Sequence, residues 1–537
     1  MKHKRMISIL SLLLGCLLLF ACAKTGEVQT ADTEAAETPE TAFTLGEPSE
    51  TMPAPPEGMQ PLEGMQPPEG MQPPEGWSGE GQPPAPPEGM GEPPQGGPGG
   101  QPPQGGPGGQ PPQGQPPEGM GNPPQGGPGG PGGSAADVTY TAATEITAAE
   151  TQSGKTYKST AANENALLIS TTDAVTLENP TVQKTGDSDG GDASNFYGLN
   201  AGILCKDGAN VTITGGTVET SASGANGVFC YGGNGGRNGA AGDGTTVTIS
   251  DTVITTTGSG SGGIMTTGGG TTYANNLTIT TSGQSSAPIR TDRGGGTVVV
   301  TGGTYTSNGL GSPTVYSTAD VTVSGAVLVS NQSEGAVIEG KNSIRLQNCT
   351  LTANNTKRNS NATFLDSIML YQSMSGDADT GTAQFTMIGG TLLSKSGHVF
   401  HVTNTNAVIE LESVAITNED PANVLLSVCA DGWSGAKNIA TLNARAQALS
   451  GLILVGSDSE LTLTLSDGSS LIGAISGAIT NAKGETVSSE VGAVHVSIDA
   501  TSTWTLTADT YITSFSGDVS SIVTNGFSLY VNGVKLA

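Results

Sequence analysis

Arg290, Asp292 and Arg293 form the densest charged cluster in the second half of the chain, and Glu339 and Lys341 follow two repeats later. Arg290 and Asp292 share strand parity, so a regular strand places both on one face. Such a cluster is either a salt-linked patch or the start of a site. A lyase would need a cation to neutralise a uronate carboxylate and a base for the adjacent proton. A hydrolase would need carboxylates converging on one bond. His398 and His401 lie three apart in a strand-like stretch, which predicts opposite faces and no joint metal or acid–base role. Asp187, Asp189 and Asp192 form a carboxylate-rich turn that could wrap calcium, although it lacks the twelfth-position Glu of an EF-hand loop. Asp377-Ala-Asp379 is a weaker cation candidate. Tyr371 and Trp433 sit near loops and serve equally as sugar shelves or as local packing.

Other chemistry has little support. The chain has no G-x-S-x-G, no H-E-x-x-H and no phosphate-cradling G-x-x-x-x-G-K-[ST]. Gly258, Gly260 and Gly263 match a dinucleotide pattern in letters, but no helical segment follows them. The formal net charge of −28 disfavours nucleic acid and anionic headgroups, which need clustered Lys and Arg. The cysteines lack C-x-x-C spacing, which argues against zinc. Cys205 and Cys230 close the matching phrases Ala201-Gly-Ile-Leu-Cys and Asn226-Gly-Val-Phe-Cys. On successive turns of a repeat they would stack, either as buried thiols or as a disulfide staple.

These residues are carried by a loose repeat of short strands. Val211-Thr-Ile-Thr-Gly-Gly-Thr-Val, Val298-Val-Val-Thr-Gly-Gly-Thr-Tyr, Val321-Thr-Val-Ser-Gly-Ala-Val-Leu and Phe385-Thr-Met-Ile-Gly-Gly-Thr-Leu show the unit. Starts at 298, 321 and 344, and again at 385 and 409, give a period in the low twenties. That period, with alternate apolar residues and no helical stripe, predicts one solenoid rung per repeat. Leucine-rich repeats share the period but need a Leu/Asn frame that is missing. Gly-Gly and Ser-Asp steps provide the bends between faces. The expected fold class is all-β, a right-handed parallel β-helix over 134–537 with about fourteen rungs and a length near 65 Å. Residues 138–170 are expected to cap the first rung, and Trp504, Tyr511, Phe515 and Tyr530 to pack the last.

The N-terminal part is of another kind. Lys2, Lys4 and Arg5 precede an apolar run to Phe20, and Leu19-Phe20-Ala21-Cys22 reads as a lipobox. Residues 1–21 are then a lipoprotein signal peptide, and Cys22 is the acylated N-terminus. Residues 22–133 form an acidic Pro/Gly/Gln-rich stalk, expected to be disordered, with Glu57, Glu63, Glu69 and Glu75 in phase at six residues. Pro removes donors and Gly raises the entropy of ordering, so a spacer with a reach of up to about 260 Å follows. Glycine does not fall at every third position, which excludes collagen.

A resemblance adds to this reading. Asn195-Phe-Tyr-Gly-Leu-Asn-Ala-Gly-Ile-Leu204, Ile289-Arg-Thr-Asp-Arg-Gly-Gly-Gly-Thr297, Gly311-Ser-Pro-Thr-Val-Tyr-Ser-Thr-Ala-Asp320, Ser333-Glu-Gly-Ala-Val-Ile-Glu-Gly-Lys-Asn-Ser343 and the closing Tyr-Val-Asn-Gly533 resemble adhesin-like, carbohydrate-binding β-helix surface lipoproteins of anaerobic bacteria, with a polysaccharide-lyase-like fold. The resemblance covers about 170–537 and implies the fold and a glycan ligand, without catalytic residues to carry over. The expectation is a monomeric, non-catalytic adhesin exposed at the cell surface, anchored to the membrane by its lipid alone, and binding a polysaccharide or surface glycan. The ligand-binding candidates are Arg290, Asp292, Arg293, Glu339, Lys341, Tyr371 and Trp433, with calcium as the one candidate cofactor. A β-helix polysaccharide lyase or glycoside hydrolase is the alternative, and a structural surface spacer the third reading.

Overall fold

Apolar residues at every second position need a face to bury them, and here that face is the inside of a tube. The computed structural model describes residues 138–189, 191–234 and 241–537. The signal segment, Cys22 and the stalk lie outside them. Three long sheets line the tube, each taking every third strand. The first has thirteen strands, from Glu145–Ile146 to Ile475–Ser476. The second has fourteen, from Glu150–Ser153 to Ser514–Ser516. The third has ten, from Thr156–Ser159 to Ala415–Asn418, and a separate four-stranded sheet from Ala448–Ser450 to Ile522–Val523 takes over that side. Neighbouring strands within these sheets are parallel. The fold is a right-handed parallel β-helix, and the fourteen-stranded sheet matches the expected rung number.

The sequence repeat maps onto the register. Val298 pairs with Val321, Val321 with Ile344, and Phe385 with Ile409. Val211 and Ile213 point into the core while Thr212 between them is half-buried on the outside. The bend between the second and third sheets places a left-handed residue at a fixed position, filled by Asn179, Gly215, Asp251, Asn276, Gly302 and Asn348, and in some rungs a second left-handed glycine follows, as at Gly216 and Gly303. Short polar side chains and glycine are the residues that tolerate this conformation.

The bend between the third and first sheets is closed from inside by hydroxyls. Thr220, Thr256, Ser307 and Ser330 occupy one register column and donate to the carbonyls of Ala225, Ser261, Ser312 and Ser333. A second column, Ser261, Ser286 and Ser312, accepts backbone N–H groups from the rung below. These ladders satisfy polar backbone that the tube would otherwise bury unpaired. Lys184 takes one slot of the first column, with its ammonium donating to the carbonyls of Ala161 and Gly186. Burial lowers it to about 8.

Several expectations need correction. Residues 138–170 are no cap: from Glu145 on they build the three strands of the first rung and begin the second. The expected packing of the last rung is found: Trp504 is core, donating its indole N–H to Gly473 at 3.0 Å, Phe515 packs against the core, and the half-exposed Tyr511 stacks on Tyr530 at 4.6 Å. Cys205 and Cys230 are register partners on successive rungs, but both thiols are free. Each points into the core, and the Cys230 thiol donates to the Thr271 carbonyl at 3.4 Å. No described helix is long and apolar enough to cross a membrane.

Candidate functional site

The outer face of the first sheet carries one register row: Leu168, Leu204, Phe229, Met265, Arg290, Tyr316, Val337, Met369, His401, Ser427 and Leu454. Both ends of the row are covered. A short helix, Asp192–Tyr197, lays Phe196 and Tyr197 over the apolar start from Leu168 to Met265. At the far end Phe364 packs with Val424, Cys429, Leu454 and Ile479. Between the two covers lies a groove of about 270 Å³, floored by Tyr316, Val337, Met369 and Glu339 and walled by 359–362, Ser373–Asp377, Tyr371 and Trp433.

Glu339 is the focus of this groove. Its side chain is buried and accepts hydroxyl hydrogen bonds from Tyr316 (2.5 Å), Tyr371 (2.9 Å) and Ser373. Burial raises its carboxyl above the usual range, the three hydroxyls oppose the shift, and Asp377 adds to it. Both tyrosine hydroxyls are pushed well up by burial and by Glu339. Trp433 meets Tyr371 edge-on at 4.9 Å and 62°, so the two rings make one aromatic wall.

The cations beside the groove are committed. Arg290 donates to Asp292 at 3.1 Å, both side chains being about nine-tenths buried. The parity argument for that pair therefore holds, but the pair is covered rather than a surface patch. Asp292 is pushed up to about 7, first by burial and further by Asp377 and Glu339, with Arg290 opposing. Arg293 donates through Nε (3.1 Å) and Nη2 (2.6 Å) to Asp377, and its guanidinium lies 4.2 Å over the Phe196 ring. Lys341 pairs with Asp379 at 3.1 Å and lines a separate glycine-rich depression of about 400 Å³. The groove thus brings together Glu339, Tyr371 and Trp433, with Arg290, Asp292 and Arg293 behind one wall and Lys341 apart.

The calcium turn is not assembled. Asp187 accepts from the Ser223 N–H at 2.8 Å, Asp189 accepts from Asn163, and Asp192 sits in the first turn of the helix. Asp377 and Asp379 are spent on Arg293 and Lys341. Among the described residues no group of three or more acidic, His or Cys side chains is placed to hold a metal ion.

The histidines also differ from expectation. Val399 and Phe400 both point into the core, which breaks the alternation and brings His398 and His401 to the same outer side. Their Nδ1 atoms lie 2.7 and 2.8 Å from one Ser427 hydroxyl. That hydroxyl has one proton to give, so one ring must donate to it. His401 Nε2 faces the Asp431 carboxylate at 3.3 Å. The other Asp431 oxygen accepts from the Thr363 N–H and hydroxyl and from the Gly432 N–H, at 2.5–2.7 Å. Burial would raise Asp431, but the bonds from His401 and Thr363 outweigh it and hold the carboxyl low. Burial, with His401 adding to it, holds His398 down to about 3. Ser427, His401 and Asp431 have the residue types of a catalytic triad, yet Ser427 and His401 are fully buried and His398 blocks the hydroxyl. The arrangement is a latch, tying the loop that carries Trp433 to the loop that carries 359–362.

Sequence reasoning missed Tyr316, Ser373 and this latch. Tyr316 follows Arg290 by one rung, an offset visible in the repeat. Asp431 and Thr363 meet from loops 68 residues apart, and no local pattern signals that. Comparison with protein families, curated proteins and solved structures gave no match. The fold defines the class, a parallel β-helix with an aromatic and acidic groove on its first sheet.

Proposed function

We propose that this chain is a cell-surface adhesin, anchored through acylated Cys22 and carried by its stalk, that binds a glycan in the groove of the first sheet. The observation supporting this reading is the Tyr371–Trp433 wall standing over a floor of hydroxyls and a buried carboxylate. Sugar rings have apolar faces that pack on aromatic rings and a rim of hydroxyls that bond to groups like these. The groove lies on the outer face of a stiff solenoid, which suits a segment of an extended polymer. Trp433→Ala should weaken retention on the recognised polymer by about three- to tenfold, the worth of one aromatic contact. Pull-down against cell-wall, plant and mucin polysaccharides, with calcium and with chelator, measures this. Unchanged retention would remove the groove from the reading.

Polysaccharide cleavage is a second reading, favoured by Asp292. Burial pushes its carboxyl up to about 7, a range that suits a general acid. It stands two rungs from Glu339, about 10 Å along the axis and near the spacing of inverting hydrolases, but it is covered and paired with Arg290, so cleavage would require the wall over it to open. New chain ends in the same pull-down would favour cleavage; retained polymer without new ends would favour the adhesin.

A further inference from the structure

Glu334, Glu339 and Asp377 line the groove, and among the described residues no Lys, Arg or His lines it. The neighbouring cations are turned to other partners. Arg290 serves Asp292 and lies 3.3 Å from the carbonyls of Gly260 and Ser285, and Arg293 serves Asp377. Behind Glu334 stands Asp366, tied to it through Asn355, whose amide donates to the Glu334 carboxylate at 3.1 Å and to the Asp366 carbonyl at 3.2 Å. The Asp366 side chain is buried and its Oδ1 has no hydrogen-bond partner. Among the described residues, three carboxyls thus line the groove, and of these Asp377 alone is answered by a cation, Arg293. Burial first, and then mutual repulsion, raises Asp292 and Asp366; the same two causes raise Glu339 against its three hydroxyl donors.

A site with surplus buried acid discriminates by charge. A ligand carboxylate entering it adds repulsion in a poorly solvated space, whereas an ammonium relieves it. The aromatic wall points the same way. Trp433 and Tyr371 both line the groove, and the two tyrosine hydroxyls already donate to a carboxylate, which leaves the tyrosine ring faces electron-rich. Such faces attract cations.

We propose that the groove selects a glycan carrying free, protonated amino groups, a glucosamine-type polymer, over its N-acetylated or uronate counterparts. This rests on the glycan-binding reading above and adds the charge of the ligand to it. The amine sits against Glu339 and the Tyr371–Trp433 wall, and the sugar rings follow the row from Tyr316 to Met369.

The test is calorimetric titration of the full chain at about pH 6, where a sugar amine is protonated, in low salt and in physiological salt. The probes are a fully deacetylated glucosamine hexamer, the fully N-acetylated hexamer, a galacturonate hexamer and a lysine decamer. The expected result is that the free-amine hexamer binds about tenfold more tightly than the N-acetylated one, and that the uronate shows no heat. Glu339→Gln should narrow the preference to about twofold, with a melting curve confirming that the variant folds. Asp377→Asn frees Arg293 and should let the uronate hexamer bind. Equal binding of the amine and N-acetylated hexamers overturns the charge preference and leaves the glycan reading standing. Tight binding of the lysine decamer alone overturns both in favour of a basic peptide, and no binding of any probe overturns both outright.

Discussion

Asp292 is the group whose protonation the fold changes most usefully. Its carboxyl moves from an ordinary 3.8 to about 7 because it is buried with other acids, despite Arg290. The folded state therefore holds this proton more tightly than the unfolded chain does. The resulting stabilisation is complete below about pH 4 and is lost as pH rises through about 7. Wild type should accordingly lose stability relative to Asp292→Asn across that window, by about 4 kcal/mol at most. Calorimetric melting of both proteins at steps between those pH values checks it, and a flat difference would mean that the carboxyl ionises freely. The facing of Arg290 and Asp292 was legible because two residues of equal parity on one strand share a face. His398 and His401 defeated the same rule, because Val399 and Phe400 turn inward together. Their juxtaposition on Ser427 is a product of that irregularity, and composition carries no trace of it.

At the scale of one bend, the repeat told where the chain turns but not which glycine it cannot lose. Gly302 (φ 65°) and Gly303 (φ 88°) are both left-handed. A Cβ on Gly302 would meet nothing within 4 Å, whereas one on Gly303 would lie 2.4 Å from the Leu277 carbonyl oxygen. Asn276 and Asn348 already hold the Gly302 position in other rungs, at φ 51° and 53°. Gly302→Asn should therefore change stability by less than about 0.5 kcal/mol. Gly303→Ala combines a strained dihedral with a backbone collision and should cost about 2–3 kcal/mol. Denaturant unfolding of the two variants separates them, and equal losses would show that the dihedral alone matters. The loops that wall the groove were less legible still, since their contacts join segments from distant rungs and leave no period behind.

Over the whole solenoid the weak point is where the third sheet stops. Its last strand is Ala415–Asn418, and that side resumes at Ala448–Ser450 in a different sheet. The period of 23–24 residues read from the sequence ends at the same place. Backbone pairing is replaced there by one side chain. The Gln447 amide accepts from the Val414 N–H at 2.7 Å and donates to the carbonyls of Val414 (2.8 Å) and Ala448 (2.7 Å). Gln447 is fully buried and carries out for one residue what a strand does for four. A solenoid's stability is a sum of rungs and nearest-neighbour interfaces, so a defect at one interface lets the two sides melt separately. Gln447→Leu keeps the volume and strands two buried polar groups, the Val414 N–H and carbonyl, a loss of about 2–4 kcal/mol placed on a single interface. The first two sheets run on through this joint, so they resist the separation, and the outcome turns on whether their pairing outweighs the broken bridge. We expect that it does not. Thermal unfolding of Gln447→Leu should show an added early transition, which hydrogen exchange assigns to residues 448–537. A single transition at lower temperature would instead mean that the two continuous sheets hold the solenoid together as one cooperative unit.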